Sequence, residues 1–177
     1  MGLLKSVLKN YVRWVDRINK WLGLAVMYLV FVMMGILIFA AISRTAFDKP
    51  YLWVMEMAQF TMAAYYLLGG GFSLQEGAHV RMDVFYEKWS PRTKAKVDSV
   101  TALALISYLV ILLWGGYSSS LYALEYGQKN YTAWAPPLAP IKIIMTIGIL
   151  LMLLQAISIF IKDLYFLFSG RRIGGEA

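Results

Sequence analysis

Four stretches of the chain carry no charged residue: Trp21–Ser43, Met57–Gln75, Ser99–Leu124 and Ile143–Ile161, with 23, 19, 26 and 19 residues. A helix needs about 20 mostly apolar residues to cross a hydrocarbon core of roughly 30 Å. Inside lipid every backbone N–H and C=O must be satisfied within its own segment, so runs of this length are read as helices. They are apolar all round and lack the two-residue alternation of a membrane barrel strand. The expected fold is an all-α integral membrane protein. It has four transmembrane helices, spanning about 21–44, 51–76, 97–124 and 141–162, plus an N-terminal amphipathic interfacial helix over 3–20. A hydrophobic share of 60% in 177 residues leaves no room for a sizeable soluble domain, so one membrane domain covers 1–177.

The charges sort themselves by side. Lys5, Lys9, Arg13, Arg17 and Lys20 precede the first stretch, Arg81, Lys88, Arg92, Lys94 and Lys96 follow the second, and Lys162, Arg171 and Arg172 follow the fourth. Those 13 basic residues fall on one side, against Arg44, Lys49, Lys129 and Lys142 on the other. Short basic loops stay in the cytoplasm, so both termini are expected to be cytoplasmic. The net charge of +7 thus reads as an orientation signal suited to membrane phospholipids with anionic headgroups, and not as a nucleic-acid surface. Cysteine is absent, which excludes disulfides, thiolate metal sites and iron–sulfur ligation. The first apolar run is too long for a cleavable signal and lacks a convincing small-x-small cleavage site after it.

Along the chain, Leu4, Val7, Leu8, Tyr11, Trp14, Val15 and Ile18 form the apolar face expected of the interfacial helix, with the basic residues on another. Arg44 closes the first span. Pro50 opens the second, whose first turns hold Trp53 and Glu56. Glu56 lies about 9 Å into that helix at 1.5 Å per residue, near the outer interface. Arg44 can snorkel to the same level, so the two are expected to pair at the outer rim or, alternatively, to stand as independently solvated charges. Gly69-Gly70-Gly71 reads as a close-packing surface or, alternatively, as a broken helix around an ion. His79 is the single histidine and cannot hold haem or zinc alone. Ser90-Pro91 resembles an N-cap and first helical residue, starting a third helix that runs to about Glu125. Gly115-Gly116 and Ser118-Ser119-Ser120 give that helix a small-residue face. Pro136, Pro137 and Pro140 exclude regular helix from the outer loop, and a fourth helix starts near Pro140.

The run Arg44-Thr45-Ala46-Phe47-Asp48-Lys49-Pro50-Tyr51-Leu52-Trp53-Val54-Met55-Glu56 resembles the R-x-x-F-x-x-P-x-x-W-x-x-E segment of the small membrane subunit of tripartite ATP-independent periplasmic (TRAP) transporters. Gly77-Ala78-His79-Val80-Arg81-Met82-Asp83 resembles the same family's G-x-H-[IV]-R-[VM]-D segment, in the loop after the second span. The two segments cover about 20 residues; the later spans match in layout. The resemblance implies an inner-membrane permease complex of bacteria or archaea. In it a large membrane subunit carries the substrate and sodium sites and moves as an elevator, and a periplasmic substrate-binding protein delivers an organic acid. It further implies that this chain packs against the large subunit's static scaffold. The residues singled out as structural or partner contacts are Arg44, Trp53, Glu56, Gly77, His79, Arg81 and Asp83.

The residues themselves agree with that division of labour. A coupled carrier commonly keeps an ionisable residue or a broken helix inside the membrane. None of the four stretches contains an ionisable acid, base or histidine. No phosphate loop, nucleophile elbow, paired catalytic carboxylates or HExxH is present, so neither an enzyme nor a bound cofactor is expected. Two other readings stand beside the accessory subunit: an independent small transporter relying on Glu56, and a membrane-anchor subunit of another enzyme complex.

Overall fold

The structure is a computed structural model that describes residues 2–48, 50–77 and 91–169. Five helices account for most of them: α1 (Gly2–Met27), α2 (Leu29–Phe47), α3 (Trp53–Gln75), α4 (Pro91–Glu125) and α5 (Ala139–Ser169). The fold is all-helical. Three continuous helical stretches are long and apolar enough to cross a membrane: Ser6–Phe47, Lys96–Glu125 and Ala139–Leu167. α3 is not among them. Its Gln59, Thr61, three consecutive glycines, Ser73 and Gln75 dilute its hydropathy, which accords with a helix enclosed by others.

α1 and α2 nearly form one helix. They part at Tyr28, where the amide of Tyr28 bonds the carbonyl of Ala25 at 3.2 Å and the amide of Phe31 bonds that of Tyr28 at 3.1 Å. These three-residue bonds tighten the helix locally, the usual mark of a bend. α1 therefore runs seven residues beyond the expected end at 20. Its buried stripe also differs from the expected apolar face. Val12, Val15, Asn19, Gly23 and Val26 are buried, whereas Val7 and Trp14 are 61% and 60% exposed. α1 offers more than one apolar face, and the one chosen is the one that fits the helices beneath it. It lies chiefly on α3 and to a lesser extent on α5.

α5 is the centre of the molecule. It packs on α4, α3 and α1, and the best-buried apolar cluster, Leu109, Ile149, Leu153 and Ala156, lies on its contact with α4. α4 and α5 are antiparallel, joined by a tight loop. The amide of Asn130 bonds the carbonyl of Pro136 at 2.9 Å, and that of Leu138 bonds Gln128 at 2.9 Å. Gly127, at φ +54°, supplies the left-handed turn that ends α4. At 35 residues α4 is about 52 Å long, well beyond the hydrocarbon core.

α3 and α5 run parallel and approach closely through glycine. Gly148 of α5 faces the backbone of Leu67, and Gly70 of α3 faces Met152. Gly71 meets Asn19 of α1, and Gly23 of α1 meets Phe72. α3 continues unbroken through Gly69–Gly71 to Gln75. The glycine triplet therefore acts as a packing surface, and the broken-helix alternative is not what the backbone does.

Candidate functional site

Two regions combine polar chemistry with burial. The first is the corner of the α2–α3 hairpin. α2 ends at Phe47, and Asp48 adopts φ +48°, its amide returning to the carbonyl of Ser43. A left-handed residue after the last helical turn satisfies an end carbonyl and reverses the chain. Trp53 then stacks on Phe39, with ring centroids 5.9 Å apart, and Tyr51 stacks on the same ring at 5.6 Å. Both aromatics follow the turn and tie the start of α3 back to α2 through Phe39. Such pairs are worth roughly 0.5–1.5 kcal/mol beyond their buried area.

Glu56 and Arg44 do not behave as the sequence suggested. Glu56 is buried, at 5% exposure, and its Oε2 has no hydrogen-bond partner. Arg44 is exposed, and no ion pair joins the two. The pattern of spacing put both at the rim, but Glu56 is turned into the helix contacts while Arg44 is turned outward. Of the remaining expected contacts, Gly77 is described and His79, Arg81 and Asp83 lie outside the described residues. Gly77 has φ +66°, in the left-handed region where only glycine is unstrained, just after the end of α3.

The second region is a polar node at the junction of α1, α3 and α5, which sequence reasoning missed. Asn19 Nδ2 donates to Gln155 Oε1 at 2.8 Å and to the carbonyl of Val15 at 3.2 Å. Gln155 Nε2 donates to Asp16 Oδ1 at 3.0 Å. The other carboxylate oxygen of Asp16 takes the Lys162 ammonium at 2.7 Å. Tyr11 adds a fifth link, its hydroxyl donating to the carbonyl of Leu154 at 3.2 Å. Asn19 and Gln155 are 1% and 0% exposed. Interhelical hydrogen bonds in lipid average about 0.6 kcal/mol and reach about 1.7, so the four α1–α5 links together hold α1 firmly. A signal was present: Gln155 is an amide inside a 19-residue uncharged run, and Asn19 sits one turn from Val15 on an apolar stripe.

The α4–α5 seam carries a smaller polar contact. The Ser120 and Thr146 hydroxyls are 3.0 Å apart, with Gly116 one turn away against the same threonine. Gly116 and Ser120 thus form the small-residue face expected of this helix, while Gly115 faces open space. Beside the seam an apolar groove of about 430 Å³ runs between Val110, Trp114 and Tyr117 of α4 and Ile147 and Leu150 of α5. Among the described residues no three His, Cys, Asp or Glu side chains gather where they could hold a metal ion. The described residues build tightly joined helices with apolar outer faces.

Residues 33–165, from α2 through most of α5, match the model of the family described as Tripartite ATP-independent periplasmic transporters, DctQ component. No curated protein and no solved structure matches the chain.

Proposed function

This chain belongs to the DctQ component family of the tripartite ATP-independent periplasmic transporters, and we propose that it serves there as the brace for a large elevator-type subunit. The family is a transporter component, which is not a class of enzyme. In this reading the large subunit carries out sodium-driven uptake of an organic acid handed over by a periplasmic binding protein, in the inner membrane of a bacterium or archaeon. The observation that carries it is the family match, which runs through four of the five helices.

The geometry supports a bracing role. An elevator needs a scaffold that stays put while another domain slides. α5 is gripped on three sides by α1, α3 and α4. Around that rigid centre, α2 and α4 turn broad apolar faces outward, among them Phe31, Ile38, Ile111 and Trp114. Such faces suit lipid on one side and a large apolar subunit on another. We count α3 as the fourth span: its 23 residues reach about 34 Å, enough for the hydrocarbon core. The basic excess then places both termini in the cytoplasm. α1 exposes Lys9, Arg13, Arg17 and Lys20 at the inner surface, where they meet anionic phospholipid headgroups. Arg44 at the outer rim and the segment from Gly77 to Asp83 are the proposed partner contacts.

Two experiments test this. The chain, tagged and extracted in mild detergent, should bring down a much larger multi-span protein in fixed ratio. In proteoliposomes the chain alone should give no sodium-driven uptake, and uptake should need the large subunit and the binding protein as well. Uptake by the chain alone would overturn the assignment of the substrate pathway to the partner.

A further inference from the structure

Three oxygen atoms at the inner junction of α1, α3 and α5 have no protein partner: Asn19 Oδ1, Gln75 Oε1 and Ser158 Oγ. Each comes from a different helix. Asn19 and Ser158 are 1% and 0% exposed. Buried polar groups are nearly always satisfied, so three in one place call for an occupant.

Register brings the three together. Asn19 Oδ1 lies against Gly71, where a side chain on that residue would strike it. Gln75 is one turn further along α3 on the Gly71 face. Asn19 is also bonded to Gln155 of α5, and Ser158 is the next residue on that face of α5. Asp16 bridges Gln155 to Lys162, straddling the position of Ser158 between them. The leftover atoms therefore share the layer next to the Asn19–Gly71–Gln155 contact.

Their chemistry is complementary. A helical serine or threonine usually donates back to the carbonyl four residues earlier, as Thr45, Thr61, Ser107 and Thr146 do here. For Ser158 that carbonyl belongs to Leu154 and already receives the Tyr11 hydroxyl. The Ser158 hydroxyl is left with a proton to donate elsewhere. Both N–H groups of Asn19 are spent on Val15 and Gln155, so its Oδ1 can only accept. Gln75 Oε1 likewise needs a donor.

We infer that one water molecule is bound at this junction, accepting from Ser158 Oγ and donating to Asn19 Oδ1 and Gln75 Oε1. Three hydrogen bonds are the usual complement of a buried water. The burial of Asn19 and Ser158 excludes a side chain from a partner protein. A metal cation is disfavoured by charge: the Asp16 carboxylate is already matched by Lys162 at 2.7 Å, and the three free oxygens are neutral. An unmatched charge in a low-dielectric site is costly. The water makes the join of α1 to the bundle three-way, tying α1 to α3 and α5 at one point.

The test uses the unmodified chain within its transporter, in lipid nanodiscs. A map detailed enough for ordered water should show one peak about 2.7–3.2 Å from the three oxygens. Direct pairing of these side chains with no peak between them overturns the proposal. Thermal midpoints compared in sodium, potassium and choline chloride at equal ionic strength should coincide; a rise specific to sodium or potassium makes this a cation site and equally overturns it. Ser158→Ala and Asn19→Leu should each lower the midpoint by about 2–4 °C. The double variant should lose less than the two losses added, because both act through one water. Simple additivity counts against the bridge.

Discussion

Gly148 separates close helix packing from mere helix propensity. A methyl group at this position would sit 2.7 Å from the carbonyl carbon and oxygen of Leu67, whereas ordinary contact begins near 3.4 Å. The obstacle is backbone, so no rotamer change can relieve it. α3 and α5 must part locally by about 0.7 Å, and Ile149 and Leu153 lie on the same helix in the core cluster. Overpacking of this kind costs typically 1–3 kcal/mol. Gly115 is the internal control. It lies in mid-helix with nothing within 4 Å, so Gly115→Ala should be neutral or gain about 0.5–1 kcal/mol from lost unfolded-chain entropy. Gly70→Ala falls between them, since the flexible Met152 side chain can move aside. Reversible unfolding of the isolated chain in mixed micelles, titrated with a denaturing detergent, measures the difference. Gly148→Ala should unfold at clearly lower denaturant, with an equilibrium constant shifted at least about fivefold relative to Gly115→Ala, since 1.4 kcal/mol is a factor of ten and the difference is about 1 kcal/mol or more. Equal midpoints for Gly148→Ala and Gly115→Ala would refute the reasoning that α3 and α5 meet backbone to side-chain-less backbone.

Asp16→Asn removes the charge partner of Lys162 and should loosen α1 by about 1–3 kcal/mol, read as faster proteolysis within residues 2–27 while α4 and α5 stay protected. Glu56→Gln should leave stability within about 0.5 kcal/mol or raise it, because among the described residues no cation pairs with this buried carboxylate; a loss of 2 kcal/mol or more would show that the Glu56 carboxyl has a partner after all. Gly77→Ala should cost about 1–2 kcal/mol through its left-handed backbone, although a side chain there would touch nothing, and Gly77→Asn should cost less; detergent unfolding of both variants checks this. Trp53→Ala should cost more than Trp114→Ala, since Trp53 stacks on Phe39 whereas Trp114 is 79% exposed; the same unfolding assay on the isolated chain ranks them.

How much was legible depends on the kind of interaction. The long uncharged runs announced their helices because lipid demands internally bonded backbone, a requirement met residue by residue along one segment. α4 begins at Pro91 and ends at Glu125, where proline and a left-handed glycine act locally. The face of a helix was harder to read. Gly116 and Ser120 were recognisable as small, but only the contact with Thr146 distinguishes Gly116 from Gly115 beside it. Spacing along the chain put Arg44 and Glu56 at neighbouring levels, yet level does not fix rotation about the helix axis, and rotation decides whether side chains meet. The Asp16–Gln155–Lys162 bridge joins residues separated by 139 and 146 positions, far beyond any local pattern.

By itself the sequence determined the class of this protein: long apolar helices, charges gathered between them, and a resemblance to the TRAP small subunit that the family match bears out. These follow from solvent and local stereochemistry, which act on each segment independently. The tertiary structure alone decided that α5 is the centre, that α1 docks through Val12, Val15 and Asn19 and leaves Val7 and Trp14 exposed, and that Glu56 points inward without Arg44. Those outcomes turn on which surfaces fit at contact distance. In lipid, where apolar faces are nearly equivalent, a few glycines and buried amides choose among them.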